Sequence, residues 1–162
     1  YGKAKFLGEV MLDEIASRSA KICAVSLRLP GVVGVGSHDN FLSAFVNNLF
    51  SGNAIKAQNP DALFNNILPI SNLCSFVELL TSSMPTGHRI LTLAASQPAP
   101  IRRVLEEVQS GAATNVPVSF GEKSSTFLIS SDAAGAMGYK SPDTLAAARH
   151  FGKISRESLF GA

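Results

Sequence analysis

Tyr1-Gly2-Lys3-Ala4-Lys5-Phe6-Leu7-Gly8-Glu9 opens the chain and decides how the rest is read. Tyr1 and Lys5 stand four positions apart, which on a helix puts them one turn apart on the same face. An ammonium beside a phenol favours the phenolate. That is the chemistry needed to move a hydroxyl proton while a hydride leaves the neighbouring carbon. The plainer reading is a helix-start tyrosine with a solvated lysine, and the spacing alone does not separate the two. Phe6, Leu7, Val10, Met11 and Ile15 recur at helical spacing with charged residues opposite, which predicts an amphipathic helix over residues 3–20 packed beside a sheet.

The next run, Ile22-Cys23-Ala24-Val25-Ser26-Leu27-Arg28-Leu29, is apolar and partly β-branched, as expected of a strand buried on both faces. Arg28 interrupts it and reads as structural. Pro30-Gly31-Val32-Val33-Gly34-Val35-Gly36 then leaves the strand's C-terminal end, where ligands bind in open α/β sheets. Proline fixes φ there, and glycine lets a backbone approach closely.

Tyr-x-x-x-Lys, helix, strand and Pro/Gly exit, in this order, resemble the second half of an extended short-chain dehydrogenase/reductase, the NAD(P)-dependent sugar epimerase/dehydratase family. The resemblance is sharpest over residues 1–9 and 26–36; after residue 40 it lies in layout more than in motif. It implies an α/β fold, the C-terminal part of a Rossmann-type doubly wound parallel sheet plus a small α/β substrate-binding domain. It implies NAD or NADP as cofactor, Tyr1 as acid/base, Lys5 as the cation beside it and on the ribose, and Pro30, Val32 and Val33 against the nicotinamide. It also implies a sugar or sugar nucleotide as substrate, oxidoreductase or isomerase chemistry in the cytoplasm, and a homodimer that uses the first helix. Gly31 stands on the substrate side where many sugar-nucleotide epimerases carry an Asn, a departure that speaks against a standard nucleotide sugar.

A chain of 162 residues can form one domain with a core of its own. Members of the family are longer, with a dinucleotide-binding half placed first. No G-x-G-x-x-G loop follows a strand here, and no acidic residue follows Gly31–Gly36 at the Rossmann distance. With a start on Tyr1 rather than Met, the expectation is a C-terminal fragment that is inactive by itself. The net charge of +2, with 16% charged residues and no basic run, gives no footprint for nucleic acid or an anionic membrane surface. No apolar run approaches the ~20 residues of a membrane span. Cys23 and Cys74 read as free core thiols.

Along the remaining chain, residues 1–37 would end the dinucleotide-binding domain and residues 38–87 would form most of a substrate-binding region. Residues 88–100 would add the last strand of the main sheet, and residues 101–162 would complete the substrate region. His38 and Asn40, just past the cofactor segment, are candidates to hydrogen-bond substrate; Ser37 and Asp39 beside them also suit a helix cap. Helices are expected at 42–50, 74–80, 101–110 and 144–151, with a helical turn at 132–137. Short strands are expected at 54–57, 67–71, 88–95, 116–120 and 126–129. Asn72 suits an N-cap. Asn65 and Asn66 stand where the family often has a sugar-nucleotide arginine. Three scattered histidines without Cys/His spacing suggest no metal site. Two other readings stay open at this level: a catalytically inert binding or regulatory member of the same fold, and an unrelated α/β domain.

Overall fold

The computed structural model describes residues 1–83, 85–122 and 127–161. Among them, helices alternate with short strands and three of the four strand pairs are parallel, so the fold is mixed α/β. β1 (Cys23–Arg28) runs parallel to β6 (Gly87–Thr92), with Cys23 opposite Gly87 and Arg28 opposite Thr92. Successive strand residues point to opposite faces, and this divides the pair between two layers. One face carries Ser26, Arg28 and His88 and is covered by α1 (Gly2–Ser17). The other carries Val25, Leu27 and Leu91 and packs on Phe76 and Leu80 of α3 (Ile70–Ser82), on Ala134 of α5 (Asp132–Gly135) and on Tyr139 beyond it. Helices on both faces are what parallel pairing requires.

A second parallel pair, β2 (Val32–Val33) with β5 (Leu68–Pro69), is shared between two hydrophobic clusters. Val32, Leu68 and Leu93 belong to the smaller cluster just described. Their neighbours Val33, Ile67 and Ala95 belong to the larger one, formed by α2 (Phe41–Ser51), β3 (Ile55–Gln58), α4 (Ile101–Gly111) and α6 (Thr144–Phe160). β8 (Val118–Gly121) runs parallel to β3, and β4 (Leu63–Phe64) antiparallel to β7 (Ala99–Pro100).

Local chemistry explains where several elements start. The Asn40 side chain accepts the Ser43 N–H at 2.9 Å while the Ser43 hydroxyl takes the Asn40 N–H at 3.1 Å, a capping box that opens α2. Asp143 accepts the Ala146 N–H at 2.8 Å and opens α6. α4 and α6 touch backbone to backbone: a Cβ on Gly111 would lie 1.9 Å from the Arg149 carbonyl oxygen, and one on Gly152 2.1 Å from that of Val108. Arg149 also donates to Glu107 at 2.6 Å across the pair. Tyr139 is buried and donates to the Ala94 carbonyl at 3.1 Å, and burial pushes its phenol up to about 12. Among the described residues no helix is long and apolar enough to cross a membrane.

Several sequence expectations need correction. The first helix stops at Ser17, whose hydroxyl bonds back to the Glu14 carbonyl at 2.7 Å. Its apolar stripe faces outward: Phe6, Leu7, Val10 and Met11 are exposed, and only Ala16 is buried. The third helix begins at Ile70 with Pro69 as N-cap, so Asn72 lies inside the first turn and donates to the Lys140 carbonyl at 3.3 Å. The last helix runs on to Phe160. The expected strand at 126–129 is not formed at residues 127–129, and Thr126 lies outside the described residues. Cys74 is exposed on α3 rather than in the core, while Cys23 is half-buried, and both are free.

Candidate active site

Tyr1 caps the N-terminus of α1, its carbonyl accepting the N–H groups of Ala4 at 3.1 Å and Lys5 at 3.2 Å. The phenol is 98% exposed, and the Lys5 ammonium stands over its ring, 5.2 Å from the centroid. Both line a cleft of about 870 Å³ between α1 and β1, with Glu9, Leu12, Ser26 and Arg28 along its walls. The one-turn spacing seen in the sequence therefore brings the ammonium over the tyrosine ring, on a cleft that the chain also lines from Val25 to Leu29.

The same helix face continues as a polar ladder through Glu9 and Asp13. Glu9 receives two hydrogen bonds from Arg28, Nε at 2.8 Å and Nη2 at 2.6 Å. The Arg28 hydrogen bonds hold the Glu9 carboxyl below its ordinary value, and the same bonds raise the Arg28 guanidinium. Arg28 is thus the structural residue its position suggested. One turn further along α1, Asp13 lies 3.6 Å from His88 Nδ1, while His88 Nε2 and the Ser26 hydroxyl share a hydrogen bond at 2.9 Å. These two ties clamp α1 to β1 and β6 and fix the rotation at which Tyr1 and Lys5 meet the cleft.

Leu29 lines both this cleft and a second cavity, of about 580 Å³. Pro30, Gly31, Val32, His38 and Asn40 all line this second cavity. Val33 does not: it is 2% exposed and sits in the larger core behind the wall. The backbone of Gly31 is already engaged, its N–H donating to Asn66 Oδ1 at 2.8 Å and its carbonyl accepting the Leu68 N–H at 3.0 Å. A Cβ on Gly31 would approach the Asn66 carbonyl oxygen to 3.1 Å, so the close approach read from the glycine is made to protein. Asn40 is occupied by its capping role and by donation to the Val32 carbonyl at 3.1 Å. His38 has its side chain 81% exposed, 3.8 Å from Asp39, with Nδ1 3.2 Å from the Gly36 carbonyl oxygen.

A third cavity, of about 380 Å³, shares Phe41, Phe64, Asn66 and Phe127 with the second. Sequence reasoning passed over these aromatic residues. The adjacent asparagines take opposite parts. Asn65 is buried and staples the chain, donating to Ala95 and Ile129 carbonyls at 3.1 and 2.8 Å and accepting the Ile129 N–H at 3.1 Å. Asn66 faces the cavities, and only the period-two alternation at this point hinted at the split.

No protein-family model and no curated protein sequence matches the chain. Solved structures do. The chain is similar to a UDP-glucose 4-epimerase with UDP-glucose from Thermotoga maritima, at 12% identity and a TM-score of 0.76 over 98% of this chain and 54% of that one. It is similar to a UDP-glucose-4-epimerase from Stenotrophomonas maltophila with bound NAD and formylated UDP-arabinopyranose, at 15% identity and a TM-score of 0.75 over 100% of this chain and 56% of that one. A dTDP-glucose 4,6-dehydratase from Bacillus anthracis in complex with NAD matches at 9% identity and a TM-score of 0.64, over 82% of this chain and 44% of that one. The chain thus has the fold of part of these Rossmann-type enzymes and spans about half the length of the solved structures it matches.

Proposed function

We propose that the chain carries the acid–base half of an NAD(P)-dependent epimerase, dehydratase or reductase acting on a sugar or sugar nucleotide. The observation that carries this reading is the Tyr1–Lys5 pair, exposed on the wall of a cleft that shares Leu29 with a second cavity lined by Pro30 and Val32. Tyr1 Oη exchanges the substrate's hydroxyl proton, and the Lys5 ammonium steadies the phenolate and takes the ribose hydroxyls. Pro30 and Val32 flank the nicotinamide, with Val33 backing them from the core. His38 hydrogen-bonds the substrate, while Asn40, whose amide is committed to the helix cap and the Val32 carbonyl, lines the wall beside it with Gly31.

The residues present fit one end of a dinucleotide. A phenol and an ammonium stand together on a roomy cleft, which suits a nicotinamide ribose. The described residues offer no strand–glycine-loop–helix cradle for a pyrophosphate. When bound, the dinucleotide supplies the hydride acceptor. We therefore read the active unit as a longer protein whose other half binds the pyrophosphate, with this chain inactive by itself. Among the described residues β1 pairs only with β6, so its other edge is open to a further strand. The outward apolar stripe of α1 suits a homodimer contact in that protein.

The test is Tyr1→Phe in the full natural protein, with cofactor binding followed by fluorescence and turnover by nicotinamide absorbance. Loss of the proton carrier should lower turnover by about 10²–10⁴-fold with cofactor affinity little changed, while Lys5→Met should weaken both. Turnover that survives Tyr1→Phe would refute the assignment.

A further inference from the structure

The charge and surface of the second and third cavities narrow the substrate class; this inference rests on reading them as the substrate end of the cleft. Their shared wall is aromatic: the Phe41 and Phe64 rings lie 5.8 Å apart at 57°, and Phe127 is 70% exposed beside them. Among the described residues, the charged side chains on the walls are Asp39 in one cavity and Lys56 in the other, one of each sign, with His38 next to Asp39. Arginines that could serve an anion are engaged elsewhere. Arg28 is bound to Glu9, and Arg102 lies over the Phe120 ring at 4.6 Å. Among the described residues, a diphosphate entering this space would exchange water for phenyl faces and side chains whose charges sum to zero, an unfavourable exchange for a group with two negative charges.

We infer that the cleft takes an uncharged hydroxy or oxo compound with an apolar ring face, in place of a nucleoside-diphosphate sugar. The three phenyl rings hold the ring face, as aromatic walls do at no cost in charge. Asn66 orients the oxygen: its Oδ1 is committed to the Gly31 N–H at 2.8 Å, so its Nδ2 hydrogens are the groups left to donate to a carbonyl or hydroxyl.

The experiment measures direct binding to the full protein by ligand-observed NMR, with acetophenone, ethylbenzene and UDP-glucose as probes. Acetophenone should bind more tightly than UDP-glucose and more tightly than ethylbenzene, which has the same ring without the oxygen. Phe127→Ala, at an exposed position that leaves the core intact, should weaken both ring probes by about 3- to 10-fold. Asn66→Leu should abolish the preference of acetophenone over ethylbenzene while both still bind. UDP-glucose binding above acetophenone and lost in Lys56→Ala would overturn the inference, and so would the absence of binding by either ring probe. NAD binding and the Tyr1→Phe effect are read separately, so a failure of the dinucleotide reading shows there without altering these three affinities.

Discussion

Replacing Gly152 by Ala should loosen the protein from its far side. A Cβ at this position would lie 2.1 Å from the Val108 carbonyl oxygen and 2.9 Å from the Ala112 nitrogen, where ordinary contact begins at 3.4 Å. The obstacle is helix backbone, so no rotamer change relieves it, and α4 and α6 must part by roughly an ångström. That separation opens the layer formed by Val104, Leu105, Val108, Ala148 and Phe151, all 3% exposed or less. Overpacking of a core costs ~1–3 kcal/mol, and a backbone obstacle belongs at the top of that range. The better helix propensity of Ala returns up to ~1 kcal/mol. A net loss of about 2 kcal/mol follows, or about 4–8 °C in melting temperature for a domain of this size. Gly111→Ala meets the Arg149 carbonyl oxygen at 1.9 Å from the other side. The two losses should fall short of adding, because the second methyl enters a gap the first has opened. Gly8→Ala, with nothing within 4 Å of the new atom, is the control and should be neutral or slightly stabilising. Scanning calorimetry measures all four variants. A Gly152→Ala protein that melts at or above the parent temperature would refute the close-packed helix pair. The effect would reach the cleft, because Ile101 at the start of α4 lines the third cavity and donates to the Ala62 carbonyl at 3.0 Å.

Two further outcomes come from the polar ties. Arg28 holds the Glu9 carboxyl below its ordinary 4.5, so Glu9 contributes stability that is present above that pH and is lost as pH falls through the lowered folded-state value. Glu9→Gln should flatten this part of the acid-unfolding curve, and a curve that overlays the parent's would contradict the tie. Asn65→Ala removes three hydrogen bonds at a buried site and strands the Ile129 N–H. Urea unfolding should register a loss of about 3 kcal/mol, and a loss below 1 kcal/mol would mean that residues 127–130 are held some other way.

The site was legible where it is local and hidden where it is assembled. Tyr1 and Lys5 are joined by helix geometry alone, so their contact, though not a role, followed from their spacing. The strand and its Pro/Gly exit were legible for the same reason, as a run of one period followed by a breaker. Phe41, Phe64 and Phe127 come from three distant parts of the chain, and no spacing relates them until β4 and β7 close the wall. Those strands have two residues each, too few for periodicity to register. The start of α3 was missed because Asn72 is the better cap by type, whereas Pro69 already supplies the extended turn that precedes a helix. The first helix misled most. Phe6, Leu7, Val10 and Met11 are exposed, while the charged side chains of Glu9 and Asp13 reach Arg28 and His88 of the sheet and Ala16 is buried.

The strand pair shared by the two hydrophobic clusters also says where the chain can change length. Ile67 faces one cluster and Leu68 the other, and on the paired strand Val33 and Val32, the latter opposite Leu68, divide in the same way. One inserted residue between Ile67 and Leu68 would put both on the same side, and Leu68 could then no longer face its own cluster while Ile67 keeps its place. Both clusters would fail together from an event that adds no charge and removes no contact. Substitution there is limited by volume, but insertion is forbidden by parity. The turn at Asn59-Pro60-Asp61 and the segment between α4 and β8 carry no such constraint, and there loops can grow while the wall between the cores keeps its count.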